Sequence, residues 1–290
     1  MKHCHSLPGW DPGFADTSPL FAPLRHLAQR FRHFEQWPGL ADYQALLDDQ
    51  PRPVRTRAGT PLRIVAQEPR PTHFDDHYAP RIHQRGELQT RRENWHDMFQ
   101  LLSWLMFPDT KAAINAAHLD PARRRLAQDD ERGRRSPLEN MLSLFDEGGA
   151  VILSSDAELL ALIRDFRWKE LFWQRRGELA HKLACIPFGH ALYEKGLAPY
   201  VGMTAHTVLM QAPADFFAQA TTEQLCWLDA KLAPLFDAGV LTQAQDLQPF
   251  PILGMPGWDP ANNQAAYYDN SDYFRPGRRA RGQAVMVACA

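Results

Sequence analysis

Two segments of the chain bring histidine and carboxylate side chains to spacings that suit proton transfer. His96 and Asp97 lie on the polar face of a helix predicted over 93–106. His190 and Glu194 are four residues apart in a second predicted helix, so they share one helical face. An imidazole oriented by a carboxylate suits general-base catalysis, and the same groups can bind a divalent metal. These four residues are therefore the candidate catalytic set.

The polar face of the first helix also carries a tryptophan. Trp104 shares that face with Glu93, Gln100 and Ser103. Because a tryptophan is costly to leave in water, we expect another part of the fold to cover this face. Covered polar groups need hydrogen-bond partners. The face is then either a catalytic or metal site, or a satisfied network that fixes the packing, and without a second motif the structural alternative is favoured.

Six further residues are candidates for ligand binding. His206, on a predicted strand, offers a third imidazole that would join the two helices in a combined metal-and-base site. The aromatic, turn-rich segment 246–275 could line a pocket for a small molecule or a peptide. The candidate binding set is Asn94, Trp104, Tyr193, His206, Trp258 and Tyr268. The sequence does not identify a cofactor, and a divalent metal is one option.

Composition narrows the class of protein. The chain has 290 residues, 44% of them hydrophobic, and a formal net charge of −2, so a folded domain without a general attraction to nucleic acid or anionic lipid is expected. The arginine-rich segment 120–137 also contains acidic residues, which favours a solvated loop over a nucleic-acid site. No apolar run reaches the roughly 18 residues of a membrane span, and the first ten residues lack a secretory apolar region. We expect a cytoplasmic protein without membrane attachment, and its oligomeric state stays open.

Several common catalytic signatures are absent from the sequence. It contains no G-x-G-x-x-G, no Walker-type G-K-[ST], no H-E-x-x-H and no G-x-S-x-G motif. Its four cysteines are far apart and form no C-x-x-C pair. A nucleotide cofactor, a serine-hydrolase mechanism, a disulfide framework and a cysteine-rich zinc site are all disfavoured.

The helices and strands that position these residues are predicted from hydrophobic periodicity and from the residues that begin or end helices and strands. Thr90 and Glu93 fit a capping box for the first helix, which should end at Phe107-Pro108. Segments 141–145 and 150–154 flank a turn-like Asp-Glu-Gly-Gly sequence, which predicts a hairpin. A strand is predicted over 204–210. We expect a single, mostly helical α+β domain over 1–276 with a small antiparallel or mixed sheet, followed by a disordered tail over 277–290.

Several motifs of the chain occur in the same order in a bacterial protein family that is known only as a domain of unknown function. They are Glu93-Asn94-Trp95-His96-Asp97, Phe107-Pro108 with Lys111 and Asn115, Leu144-Phe145-Asp146-Glu147, Phe188-Gly189-His190-Ala191-Leu192 with Glu194-Lys195, Ala198-Pro199-Tyr200, Pro251-Ile252-Leu253-Gly254 with Pro256-Gly257-Trp258, Tyr268-Asp269 and Phe274-Arg275-Pro276. The chain resembles this family over about residues 60–276. The resemblance implies one family domain in a bacterial protein, and it brings no activity, substrate or cofactor.

Three functions remain open at the level of sequence. The first is an enzyme, for example a hydrolase, in which His96 or His190 is a base oriented by Asp97 or Glu194, with or without a divalent metal. The second is a non-catalytic protein that binds a small molecule or peptide with its aromatic C-terminal segment. The third, nucleic-acid binding through the arginine-rich segment, is the weakest because acidic neighbours cancel much of the field.

Overall fold

A mixed β-sheet of five strands lies at the centre of the fold. The structure, a computed structural model, describes residues 7–69, 73–127, 135–277 and 284–288. Within these residues the strands are β1 (Arg63–Ala66), β2 (Glu87–Thr90), β3 (Gly149–Ser154), β4 (Leu183–Pro187), β5 (Thr204–Gln211), β6 (Gln248–Pro251) and β7 (Met286–Val287). The central sheet has the order β4-β3-β5-β6, with β7 also paired to β5, while β1 and β2 form a separate parallel pair.

Helices surround this sheet. The described α-helices are α1 (Arg25–Ala28), α2 (Leu40–Asp48), α3 (Tyr78–Arg85), α4 (Trp95–Met106), α5 (Pro108–Ala117), α6 (Leu119–Ala127), α7 (Pro137–Gly148), α8 (Ala157–Arg164), α9 (Arg176–Lys182), α10 (His190–Gly196) and α11 (Thr221–Asp237). A π-helical turn spans Glu170–Gln174, and short 3-10 turns connect many of the elements. The prediction of one mostly helical α+β domain with a mixed sheet is confirmed.

Strand β3 is the best-covered element of the sheet. All six of its residues are buried, as expected for the apolar run from Ala150 to Leu153. It pairs antiparallel with β4 and parallel with β5. Strand β5 matches the strand predicted over 204–210. The strands therefore form a rigid support behind the helices that carry the candidate residues.

The hairpin predicted over 141–154 is wrong. Its first half belongs to α7, which begins after Ser136, and only its second half is a strand. Ser136 and Glu139 form a reciprocal capping box at the start of this helix. Met141, Leu142 and Phe145 are buried at a helical spacing, which a two-residue alternation does not explain. The Asp-Glu-Gly-Gly sequence therefore ends a helix instead of turning a hairpin.

The start of α4 also differs from the prediction. Asn94 is the N-cap, and its side chain accepts a hydrogen bond of 3.1 Å from the backbone N–H of Asp97. Glu93 has a left-handed backbone with φ 52°, so it cannot occupy the third helical position of a capping box that starts at Thr90. The predicted end of the helix before Pro108 is confirmed.

The segment predicted as a solvated loop over 120–137 begins in a helix. Its residues 120–127 belong to α6, since alanine, leucine and arginine favour helix, and residues 128–134 lie outside the described part. Of the tail expected to be disordered, β7 is described, while 278–283 and 289–290 lie outside the description. Within the described ranges, no helix has the length and apolar character needed to cross a membrane.

Candidate functional site

Helices α4 and α10 cross so that two imidazole rings meet between them. The Nε2 atoms of His96 and His190 are 3.0 Å apart, and the two rings are nearly perpendicular at 87°. Gly189, the residue before α10, makes this approach feasible, because a Cβ there would lie 2.3 Å from the backbone oxygen of Glu147. The start of α10 therefore packs directly on the end of α7, and the two histidines are brought together from positions 94 residues apart.

Each imidazole has a carboxylate beside its outer nitrogen. The Nδ1 atom of His96 is 2.8 Å from Oε2 of Glu194, which lies one turn along α10 from His190. The Nδ1 atom of His190 is 3.8 Å from Oδ2 of Asp146 on α7. The hydrogen bond to Glu194 favours a proton on Nδ1 of His96, which leaves Nε2 of that ring to face His190. The Asp146 carboxylate is beyond hydrogen-bond distance of His190 and acts on that ring through its charge.

A buried lysine holds the second carboxylate. Lys111 on α5 donates to Oδ1 of Asp146 at 2.5 Å, and the lysine side chain is only 2% exposed. Its Nζ atom also lies 5.6 Å from the ring centroid of Trp104, within cation–π distance. The site is therefore a continuous chain of charged and polar groups from Lys111 through Asp146, His190 and His96 to Glu194, and we refer to these five residues as the imidazole cluster.

The surroundings shift the pKa values of the two histidines in opposite directions. The hydrogen bond to Glu194 raises the pKa of His96 above its usual 6.5, against the effect of its partial burial. Burial lowers the pKa of His190 to about 4, although Asp146 acts in the opposite direction. Burial alone would raise the pKa of Asp146, but the charges of Lys111 and His190 outweigh burial and lower it. The cluster thus pairs an imidazole that holds its proton more tightly than usual, His96, with one that stays neutral at neutral pH, His190.

The contact between the rings requires one shared proton. Two Nε2 lone pairs cannot face each other at 3.0 Å without repulsion, so one ring must donate and the other must accept. The raised pKa of His96 and the lowered pKa of His190 favour His96 as the donor.

A cleft of about 370 Å³ opens beside the rings. This volume lies within the range of small-molecule sites. Its walls come from α3, α4, α6, α7 and α10. They are formed by Phe74, His77, Tyr78, Ala79, Pro80, His96, Gln100, His118, Ala122, Arg135, Glu139, Ser143, Asp146, Glu147 and His190. Both imidazoles and Asp146 thus line the cleft, with His96 as the more exposed of the two rings.

A comparison with protein families gives a match to most of this chain. The family model described as a protein of unknown function (DUF3025) matches residues 62–278. The chain belongs to the DUF3025 family. No curated protein and no solved structure matches it. The whole imidazole cluster and every wall of the cleft lie within the DUF3025 match, whereas the first 61 residues lie outside it.

Asp97 does not join the imidazole cluster of this DUF3025 chain. Its carboxylate accepts hydrogen bonds from the backbone N–H and the guanidinium of Arg91, and it is 5% exposed. This pair holds the turn that precedes α4, so Asp97 affects His96 only through its charge, which raises the pKa of that imidazole slightly. Glu194, which we predicted as a partner of His190, instead contacts His96.

The candidate binding residues in the DUF3025 domain lie at separate places. Asn94 caps α4, and Trp104 is buried against Lys111 beneath the cleft. The Tyr193 hydroxyl donates to the backbone oxygen of Pro187 inside the core. His206 is half-buried on β5 and contacts the region of Gly148 instead of the cleft.

The last two candidates pack in the C-terminal segment. Trp258 is half-buried against the core. The Tyr268 hydroxyl contacts the backbone oxygens of Gly254 and Asn262 and accepts a hydrogen bond from Arg176. Both residues are far along the chain from the imidazole cluster and do not line its cleft.

The geometry offers limited support for a metal ion. Within the described part of the chain, no group of three or more His, Cys, Asp or Glu side chains is placed to hold one. His96 and His190 would provide two ligands, whereas catalytic zinc sites use three protein ligands. We therefore assign no step to a metal.

Three residues of the site were not among the sequence candidates. Lys111 and Asp146 complete the cluster, and Tyr78 lines the cleft. A lysine beside the buried Ala112 and Ala113 in a helix is a signal that could have been used, because lysine is seldom buried without a partner. Nothing in the local sequence marks Tyr78.

Proposed function

We propose that this chain is a bacterial cytoplasmic enzyme that uses the His96–His190 pair for acid–base catalysis, with hydrolysis of a small molecule as its reaction. The observation that carries the proposal is the 3.0 Å contact between two imidazoles with opposite pKa shifts at the wall of a cleft. Pairs of titratable groups with pKa values driven apart are the usual arrangement of a catalytic acid and base.

The pKa shifts assign the two roles. Neutral His190 is the base that takes a proton from water, and cationic His96 is the acid that returns one to the leaving group. Glu194 stabilises the charged form of His96, and Asp146 is placed to do the same for His190. In the free protein the two Nε2 atoms contact each other, so binding replaces their mutual hydrogen bond by one from each ring to the reactants. The side chain of His96 is 31% exposed, so it is the ring with room to turn.

Water is the nucleophile in this proposal because the side chains that could attack a substrate are buried or bound to other groups. The Ser103 hydroxyl is buried and donates to the backbone oxygen of Phe188. Burial raises the pKa of the Cys185 thiol far above neutral, so the reactive thiolate does not form. Ser143 lines the cleft, but its Oγ contacts Arg135 instead of an imidazole.

The test compares His96→Asn and His190→Gln with the wild type on a panel of carboxylic esters, amides, thioesters and phosphoesters. We expect kcat/KM to fall about 10²–10⁴-fold in each variant on the substrate that the wild type hydrolyses. The matched control is His181→Asn, which changes an exposed histidine on α9. Full activity in both cluster variants, or no hydrolysis of any compound by the wild type, would contradict the proposal.

A second candidate function is non-catalytic binding at the C-terminal segment. A pocket of about 290 Å³ there is lined by Phe166, Trp168 and Tyr273 together with three prolines. Neither Trp258 nor Tyr268 lines it. A ligand screen by thermal shift, repeated on Trp168→Leu, tests this candidate: a ligand whose shift disappears in the variant would favour binding over catalysis.

A further inference from the structure

Tyr78 has an unusual position at the mouth of the cleft. It is the first residue of α3, and 43% of its surface is exposed, but its hydroxyl reaches inward between protein groups. There its oxygen accepts a hydrogen bond of 2.6 Å from Nε2 of Gln100. Burial of the hydroxyl raises the pKa of Tyr78 well above 10, and the charge of Asp146 adds to this shift. The phenol therefore keeps its proton at any physiological pH.

A second N–H group faces the same oxygen. Interaction with the Trp104 indole N–H lowers the pKa of the Tyr78 hydroxyl, but the larger effect of burial raises it. Trp104 is 1% exposed, and its Nε1 atom has no partner within strict hydrogen-bond geometry. Gln100 thus donates to the Tyr78 oxygen, and the Trp104 N–H lies near it without a hydrogen bond of good geometry. Because the Gln100 N–H cannot accept, the phenolic proton is free for another acceptor, and Tyr78 lines the cleft.

The hydroxyl also lies close to the imidazole cluster. Gln100 follows His96 by four residues on α4, so both side chains occupy the same face, with Cβ atoms about 5–6 Å apart. The Tyr78 oxygen is in contact with Gln100, and both Tyr78 and His96 line the cleft. Tyr78 and the two imidazoles therefore lie in the walls of one cleft, where a single molecule can contact both kinds of group.

We propose that Tyr78 is a catalytic residue that donates a hydrogen bond to a substrate oxygen on which negative charge develops, and that the substrate is an acyl compound, a carboxylic ester or amide. This inference rests on the proposed function and names its substrate class. A neutral O–H donor whose oxygen is already held by a hydrogen bond before the substrate arrives is the kind of preorganised group that stabilises an oxyanion.

The residues account for every proton and electron pair of such a hydrolysis. His190 Nε2 takes a proton from water while the water oxygen bonds to the carbonyl carbon, and the carbonyl π pair moves to the oxygen that Tyr78 contacts. When that pair re-forms the C=O bond, the bond to the leaving group breaks. The leaving atom keeps the bonding electrons and takes the Nε2 proton of His96. His190 then carries one extra proton and His96 lacks one, and transfer across their 3.0 Å contact restores the starting state.

The experiment compares Tyr78→Phe with Tyr200→Phe, which changes a tyrosine that is 49% exposed outside the cleft. On an ester or amide that the wild type hydrolyses, we expect Tyr78→Phe to lower kcat about 10²–10³-fold with little change in KM, and Tyr200→Phe to change neither. Tyr78→Phe keeps the ring, and near-UV circular dichroism checks that the fold is unchanged.

A binding measurement separates this inference from the proposed function. The probe is phenyl methylphosphonate, a stable anion that resembles the tetrahedral intermediate, titrated while the Trp104 indole signal is followed by ¹H–¹⁵N NMR. We expect binding to weaken at least tenfold in Tyr78→Phe and to be unchanged in Tyr200→Phe. Binding that depends on Tyr78 supports its hydrogen bond to an anionic oxygen even if no substrate is hydrolysed; the proposed function and the catalytic role of Tyr78 then fail, and the hydrogen bond alone stands.

Other outcomes overturn the Tyr78 role. If His96→Asn and His190→Gln abolish hydrolysis but Tyr78→Phe retains full kcat, the acid–base enzyme stands and the tyrosine is not catalytic. Hydrolysis confined to phosphoesters overturns the acyl substrate class. A probe that binds Tyr78→Phe as tightly as the wild type overturns the hydrogen bond itself.

Discussion

The cleft beside the imidazole cluster and the C-terminal aromatic pocket differ in how their polar atoms are satisfied. In the C-terminal region the indole N–H of Trp168 donates to the backbone oxygen of Arg275. The Tyr273 hydroxyl donates to Met203 and accepts from the backbone N–H of Leu253. Asn262 donates to two backbone oxygens. These groups tie irregular chain segments together.

Around the imidazole cluster, in contrast, several buried polar atoms lack a partner in good geometry. They include Nε1 of Trp104, Nδ1 of His190 and Oδ1 of Asn115. The cluster also contains a lysine–carboxylate pair that is costly to bury, whereas the C-terminal segment carries its charges at the surface, as in Lys169–Asp269. Buried polar groups that lack a hydrogen-bond partner beside a cleft can bind a ligand. Buried polar groups that already have partners stabilise the fold.

The largest difference is expected for the two lysine–aspartate pairs. Lys111→Met leaves the buried Asp146 carboxylate without its cation, which should lower the free energy of unfolding by about 3–5 kcal/mol. Urea unfolding at pH 7 measures this change. The control Lys169→Met removes an exposed partner of Asp269 and should cost no more than about 1 kcal/mol.

A double variant sharpens this prediction. If the loss in Lys111→Met comes from an unpaired charge, adding Asp146→Asn should recover much of it, since no charge is then left in the interior. Equal losses in the Lys111 and Lys169 variants, or no recovery in the double variant, would show that the buried pair differs little from the surface pair.

The pH dependence of stability should also come from the cluster. The folded-state pKa of His190 is about 4, below the unfolded value of 6.5, so its stabilising contribution is complete above pH 6.5 and is lost as the pH falls toward 4. The shift corresponds to a loss on the order of 3 kcal/mol. The folded pKa of His96 is raised, so its contribution is complete below pH 6.5 and is lost as the pH rises through that higher value.

Urea unfolding between pH 4.5 and 8 tests both signs. His190→Gln should flatten the decline on the acid side, and Glu194→Gln should flatten the decline on the alkaline side, because it removes the acceptor that raises the pKa of His96. Tyr273→Phe in the C-terminal region should leave the shape of the curve unchanged. The explanation fails if His190→Gln keeps the wild-type acid slope.

Local sequence patterns predicted those helices and strands whose structure depends mainly on their own residues. The run Ala150–Leu153 and the weak alternation over 204–210 indicated strands, and the proline at 108 ended α4 as expected. The hairpin over 141–154 failed because the short apolar run 141–145 fits a strand or a helix equally well. Only the capping box at Ser136, together with the longer helical spacing, separates the two.

The candidate site could be predicted only in part, because a local sequence pattern does not show which elements pack against each other. Helical periodicity identifies which residues share a face, and it correctly grouped His190 with Glu194. It does not say which helix will cover that face, and the meeting of α4 with α10 depends on the whole chain between them. Asp97 was grouped with His96 by its position, but two adjacent residues on a helix point about 100° apart, which let Asp97 bind Arg91 instead.

The smallest expected difference in the free energy of unfolding is between variants of two tyrosines, one with a structural hydroxyl and one with a hydroxyl that binds the probe. Tyr273→Phe leaves a buried N–H and a buried C=O without their partner and should lower the free energy of unfolding by about 1–3 kcal/mol, with no effect on the binding of phenyl methylphosphonate. Tyr78→Phe removes one hydrogen bond at the edge of a cleft and should cost about 0.5–1.5 kcal/mol, while the binding of the same probe weakens. Urea unfolding and the NMR titration measured on both variants give the two effects. The contrast between the two regions disappears if both variants lose stability and neither changes the binding of the probe. The Tyr78 hydroxyl would then have only a structural role, like the Tyr273 hydroxyl.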